Sequence, residues 1–259
     1  MLLDTIHGLI ARRVLLNFRI DPEVAARVLP SRFRPKLYNG YAIGGVCMIR
    51  FQHLRPQFVP EWLGMTSENA AHRMAVTWEE DGELREGVFI PQRNTASTFN
   101  QLVGGRVFPG VFSKSEFSVE ETPESVSIRI SDEEGEAVRF KGDSAVEHRK
   151  ESIFPTVTEA ANFFSLGATG YSLSRDGKDF EGMELRSLSW KIAPLKVREA
   201  YSRWFADTTR FPAGSVELDC ALVMRDIPHE WHSRPRISIS SKSEQALGIT
   251  APIQKVQLP

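Results

Sequence analysis

The constraint that most limits this chain is period-two hydropathy, clearest from Val216 to Arg225. Val216, Leu218, Cys220, Leu222 and Met224 fall on one side, and Glu217, Asp219, Ala221, Val223 and Arg225 on the other. Such alternation predicts a β-strand with one apolar face. The same signature recurs in Val14, Leu16, Phe18 and Ile20, in Met74, Val76 and Trp78, and in Val126, Ile128 and Ile130. Turn pairs punctuate these runs: Asn39-Gly40, Asp81-Gly82, Glu134-Gly135 and Asp176-Gly177. The run 41–51 is almost wholly apolar and contains Gly44-Gly45, which predicts a strand buried on both faces with another chain segment close to its backbone.

Helices are few. Asp21-Pro22-Glu23 supplies an N-cap, a proline at the first helical position and an acid in the first turn, so a short helix is expected to about Leu29. Thr156-Val157-Thr158-Glu159 fits a capping box, opening a helix that ends at Gly167. A third helical segment is expected from Ala96 to Val103, and residues 52–70 are expected to form a long loop anchored by Phe58, Trp62 and Leu63. About nine strands in hairpin order predict a mainly β (α+β) domain, a closed or nearly closed antiparallel β-barrel with a few short outer helices. The domain is expected over 1–235, with a polar C-terminal tail at 236–259.

Composition excludes several functions. Lys plus Arg number 32 and Asp plus Glu 33, so the net charge of −1 leaves no basic footprint for nucleic acid or an anionic membrane. Apolar runs fall short of the ~18 residues that span a bilayer. Met1-Leu2-Leu3-Asp4 lacks the basic start of a signal peptide, so a cytoplasmic location is expected. Cys47 and Cys220 lie in apolar runs and are expected as reduced core thiols. His229 and His232 lack an apparent third ligand and are expected on a surface turn, so no metal and no cofactor is expected.

The candidate site gathers around Glu86-Gly87-Val88-Phe89-Ile90-Pro91-Gln92-Arg93-Asn94-Thr95. Here an apolar strand is expected to stop at the proline, which has no N–H to donate. Gln92 and Arg93 would project from its end, and Asn94 or Thr95 would cap the following helix. Arg93 suits a carboxylate, which a guanidinium fork can hold bidentately. Glu86 shares a face with Val88 and Ile90, and an acid there needs a cation such as Arg12 or Arg50. His72 opens the neighbouring strand and is a candidate proton donor or acceptor. Each also has a plainer structural reading: a surface ion pair for Arg93, a loop cap for Gln92 and a core histidine for His72.

Two stretches resemble the acetoacetate decarboxylase-like superfamily and in particular its DUF2071 branch: Arg12 to Asp21 with Leu29-Pro30, and Glu86 to Arg93. The resemblance to that branch extends to Asn69-Ala70-Ala71-His72-Arg73, Gly105 to Gly110 and Met224 to Trp231. It implies a cone-like closed barrel with an interior site, an active-site arginine at Arg12, and oligomerisation. In the decarboxylases a lysine amine forms a Schiff base with a β-keto acid. The two matching positions here read Gln92 and Arg93, and neither can form an imine. The acid expected in the second strand is absent, with Gly44 or Gly45 near its place.

The resulting expectation is a barrel that binds a small organic acid without Schiff-base chemistry. Arg12 and Arg93 would hold the anion, with Gln92 and Asn94 beside them, and Glu86 or His72 would serve as acid–base if a lyase reaction occurs. Two rivals remain open: an imine formed by another lysine, and a non-catalytic interaction protein.

Overall fold

A computed structural model describes residues 5–97, 109–187 and 189–239. In chain order the strands are β1 (Thr5–Ile20), β2 (Arg34–Pro35), β3 (Leu37–Tyr38), β4 (Tyr41–Pro56), β5 (Met65–Glu80), β6 (Glu83–Thr95), β7 (Phe112–Lys114), β8 (Glu116–Glu121), β9 (Ser125–Asp132), β10 (Gly135–Ser144), β11 (Thr169–Leu173), β12 (Asp179–Ser187), β13 (Ala193–Ser202) and β14 (Val216–Ser238). The helices are α1 (Pro22–Val28), α2 (Val157–Leu166) and α3 (Arg203–Ala206).

The sheet closes on itself. Its order runs β1-β4-β5-β6-β11-β12-β14, and β14 returns to pair with β1. These seven strands form a ring, antiparallel except where β11 lies parallel to β6. From β14 the sheet continues outward through β13, β10, β9 and β8.

Both faces of the ring are buried. Val14, Leu16, Met48, Val76, Trp78 and Phe89 pack outward against α1, α3 and the β8–β10 extension. Leu15, Cys47, Ile49, Phe51, Met183 and Met224 pack on the other face with Phe154, Phe163 and Phe164 from the α2 region. Burial on both faces explains why the strands read as near-continuous apolar runs.

Local signals act as the residue chemistry dictates. Asp21 Oδ1 accepts from the N–H groups of Glu23 and Val24, with Pro22 at the start of α1. Thr156 accepts from the Glu159 N–H at the start of α2. The Gly44-Gly45 pair is required by close approach. A side chain at Gly44 would meet Ile20 and Phe205, and one at Gly45 would lie 2.3 Å from the Leu16 carbonyl oxygen. Cys47 and Cys220 are both buried and free.

Several elements differ from expectation. The loop expected at 52–70 shrinks, because β4 runs to Pro56 and β5 starts at Met65. Phe58 and Trp62 in the remaining segment are 79% and 80% exposed, so they are not packed as anchors among the described residues. β14 runs to Ser238, beyond the domain end expected at 235. It carries His229 and His232 in a strand rather than a surface turn. The helix expected from Ala96 to Val103 falls largely outside the described residues.

The largest correction concerns β6. It continues through Pro91 to Thr95 instead of ending at the proline. Gln92 pairs with His72 and Phe89 with Met74, so Ile90 and Pro91 together oppose Arg73. This is a β-bulge, one of the few places a sheet accepts proline, because the extra residue needs no ladder partner.

Candidate functional site

A cavity of about 80 Å³ touches every strand of the ring and therefore lies inside it. Its walls are mostly apolar: Ile49 and Phe51 from β4, Val88 and Ile90 from β6, Met183 and Leu185 from β12, and Trp231 from β14. The polar groups are Arg13, Cys47, Asn69, Arg73 and Arg93.

The sheet register stacks these residues in rows. Leu15, Cys47, Ala71 and Arg93 are successive cross-strand partners, and Arg13, Ile49, Asn69 and Thr95 form the next row. On the other side of the first row Asn17, Gly45 and Arg73 align. Ala71, whose side chain is a single methyl, thus sits among long neighbours. Asn69 and Arg73 are two positions away on its own strand, and Arg93 lies directly across.

The bulge decides which side chain of β6 joins them. Glu86, Val88 and Ile90 share a face, and an uninterrupted strand would send Gln92 after them. The extra residue at Pro91 reverses the alternation, and Arg93 takes the interior position.

Each interior arginine rests on an aromatic ring. The guanidinium carbon of Arg13 lies 5.2 Å from the Trp190 ring centre, that of Arg73 4.8 Å from Phe164, and that of Arg93 5.5 Å from Phe112. Their hydrogen bonds are to a thiol, an amide and a hydroxyl. Arg13 Nε donates to Cys47 Sγ at 3.1 Å, Arg73 Nη2 to Asn17 Oδ1 at 2.5 Å, and Arg93 Nε to Ser172 Oγ at 3.3 Å. Among the described residues no carboxylate pairs with any of the three. Arg13 Nη1 and Arg73 Nε are buried without a hydrogen-bond partner there. Burial lowers the pKa of Arg73 and of Arg93 to about 10, which still leaves both charged at neutral pH.

At one end the cavity continues into a smaller pocket lined by Arg13, Leu15, Lys36, Arg73, Phe163 and Phe164. Lys36 Nζ lies 2.6 Å from Glu86 Oε2 and 4.5 Å from the Phe163 ring centre.

The residues singled out from the sequence separate accordingly. Arg93 lines the cavity, whereas Glu86 lines neither the cavity nor the adjoining pocket and pairs with Lys36, which lines the latter. Arg12 faces the opposite side of β1. It is 1% exposed, with Nη2 2.6 Å from Glu68 and Nη1 3.1 Å from Glu121 on β8. Burial nevertheless holds Glu68 above the ordinary carboxylate range. His72 also faces outward, its Nε2 2.9 Å from Ser202 Oγ and its ring against Trp204 and Phe205. Burial pushes its pKa down to about 3, so the ring is neutral. Gln92 lines a second pocket of about 240 Å³ with Pro91 and Ser174, one that shares Ile90 and Arg93 with the cavity. Asn94 is buried and donates to Ser115 Oγ at 2.9 Å.

Arg13, Arg73, Asn69 and Lys36 were not anticipated. Two signals in the sequence pointed to the first two. Arg13 is adjacent to the expected Arg12, and Arg73 alternates with Ala71 and Ala75 along a strand whose other face is also apolar.

Comparison with known proteins places this geometry. The model of the DUF2071 family, described as an uncharacterized conserved protein, matches residues 10–215. No curated protein matches the chain. Among solved structures, an acetoacetate decarboxylase-like enzyme from Sphingomonas wittichii RW1 superposes with a TM-score of 0.56 at 11% identity, covering 91% of this chain and 92% of its own. The acetoacetate decarboxylase from Legionella pneumophila gives 0.57 at 10% identity, over 90% and 88%. The enduracididine biosynthesis enzyme MppR, complexed with pyruvate, gives 0.53 at 11%, over 91% and 90%. At these identities the likeness is one of fold.

Proposed function

Because the chain belongs to the DUF2071 family, on a barrel shared with acetoacetate decarboxylases, we propose that it binds a small organic acid, keto acids included, inside the ring through Arg13, Arg73 and Arg93. The observation that carries this reading is the set of three cavity-lining guanidiniums that meet no carboxylate among the described residues. Removing an unpaired cation from water costs several kcal/mol. Aromatic faces return only about 0.5–2 kcal/mol each. A carboxylate entering the cavity supplies the missing counter-charge, and a guanidinium fork matches its two oxygens. The pyruvate bound by MppR supports a keto acid as the first probe.

In this reading no imine forms at Gln92 and Arg93, the positions that resemble the decarboxylases' lysine pair. Glu86, paired with Lys36 of the adjoining pocket, is the acid–base group this reading retains. Titration of pyruvate and acetoacetate into the protein by calorimetry should give saturable binding, weakened at least tenfold by Arg93→Gln. Absence of binding to the unaltered protein would sink the proposal.

A second reading has one observation in its favour: Lys36 lines the pocket that adjoins the cavity. Its amine would have to leave Glu86 and lose a proton before attacking a keto group. Borohydride reduction in the presence of pyruvate tests it. A mass increase that Lys36→Met removes would establish imine chemistry, and no adduct would eliminate it.

A further inference from the structure

The same three arginines constrain the charge of the ligand, an inference that rests on the carboxylate reading above. The cavity presents three formal positive charges. Its other polar groups are the side chains of Cys47 and Asn69, so among the described residues no carboxylate lines it. A monocarboxylate would neutralise one charge and leave two cations uncompensated beside apolar walls. In a medium of low effective dielectric, an uncompensated charge is unfavourable.

The arginines also enter at different levels. Arg13 belongs to the row of Ile49 and Asn69, and Arg73 to the row of Gly45 and Asn17. On β5 those rows are four residues apart, from Asn69 to Arg73, which at roughly 3.3 Å per residue separates their backbone roots by about 13 Å. Arg93 comes from the row between. Trp190, Phe164 and Phe112 each pack against one guanidinium. Recognition of an anion falls to the N–H groups.

We infer that the ligand is a small dicarboxylate whose two carboxylates are held by cations from different rows. Forks rooted on three strands suit two separated planar groups better than one compact tetrahedral anion. The apolar walls between them, Ile49, Val88 and Ile90, suit a short carbon chain.

The test is a competition series at fixed ionic strength and neutral pH. It sets malonate, succinate and glutarate against acetate, propionate and butyrate, with inorganic phosphate alongside, all titrated calorimetrically into the intact protein. The expected result is at least one dicarboxylate binding tenfold or more tightly than every monocarboxylate. Arg13→Gln and Arg93→Gln, each checked for an unchanged circular dichroism spectrum, should each erase most of that preference. Monocarboxylates binding as tightly as dicarboxylates would overturn the inference and leave the organic-acid reading standing. Phosphate binding more tightly than any dicarboxylate would also overturn it. Failure of every carboxylate to bind would remove both.

Discussion

Arg12 and Arg13 are consecutive on one strand, and they meet opposite electrostatic surroundings. Arg12 lies between the carboxylates of Glu68 and Glu121 on the outer face of the ring. Arg13 points into the cavity, where it touches a thiol and an indole ring and no carboxylate among the described residues. Alternation alone separates a structural ion pair from a cavity-lining cation.

That difference predicts opposite outcomes for two neighbouring substitutions. Arg12→Met leaves Glu68 and Glu121 without their buried partner and should destabilise the fold by about 3–5 kcal/mol. Arg13→Met removes an unpaired charge, so its stability should stay within about 1 kcal/mol of the unaltered protein or rise. Carboxylate affinity should fall at least tenfold for Arg13→Met alone, where thermal unfolding and calorimetry read the two effects separately.

Ala71 offers a steric test. Its methyl group leaves space in the middle of the cavity, between Asn69, Arg73 and Arg93. Ala71→Leu should fill that space while leaving all three arginines in place. The expected result is a folded protein, changed by at most about 1–3 kcal/mol from overpacking, whose melting temperature no longer responds to organic acids. A retained response would move the binding site elsewhere.

Acid should destabilise the protein through its buried histidines. Burial lowers His72 to about 3 and His229 to about 4 in the folded state, while the unfolded chain titrates near the ordinary 6.5. The unfolded state therefore binds more protons in that window. The stability is complete above about 6.5 and is lost as the pH falls toward the folded values. Each histidine contributes a slope of about 1.4 kcal/mol per pH unit. Denaturant titrations from pH 7 to 4 should show this loss, and His72→Gln should reduce the slope by about half. An unchanged slope would mean that His72 is not buried in the neutral form.

Gly45 tests the closeness of β1 and β4. A methyl group there would approach the Leu16 carbonyl oxygen to 2.3 Å, and backbone cannot swing aside as a side chain can. Gly45→Ala should cost more than about 2 kcal/mol, whereas Gly40→Ala on the exposed turn should cost less, through its positive φ alone. Equal effects in urea unfolding would refute the crowding account.

Much of this architecture was legible in the residues. Period-two runs located the main strands of the ring, the turn pairs located its hairpins, and Asp21 and Thr156 marked the helix starts they cap. Gly44-Gly45 announced a close approach that Ile20, Phe205 and Leu16 supply. The site was less legible for two physical reasons. Both faces of the ring are buried, so hydropathy could not tell the inner face from the outer. Arg12, with His72, was thereby assigned inward although both point away. The bulge at Pro91 then shifted the alternation by one position, so Gln92 and Arg93 lie on opposite faces. Residues 169–173 and 193–202 were missed because β11 is short and β13 carries a mixed pattern of exposure.

The proline that interrupts β6 makes backbone length an arbiter of side-chain identity. A closed ring has no free edge at which a strand could slip, so its pairing on either side of Ile90 and Pro91 is pinned. Deleting one residue there would turn Arg93 outward and bring the neutral amide of Gln92 into the cavity, with no side chain exchanged. The electrostatic character of the interior can thus be rewritten by an insertion or deletion of a single codon, a route to new ligands that comparing residue types position by position would overlook.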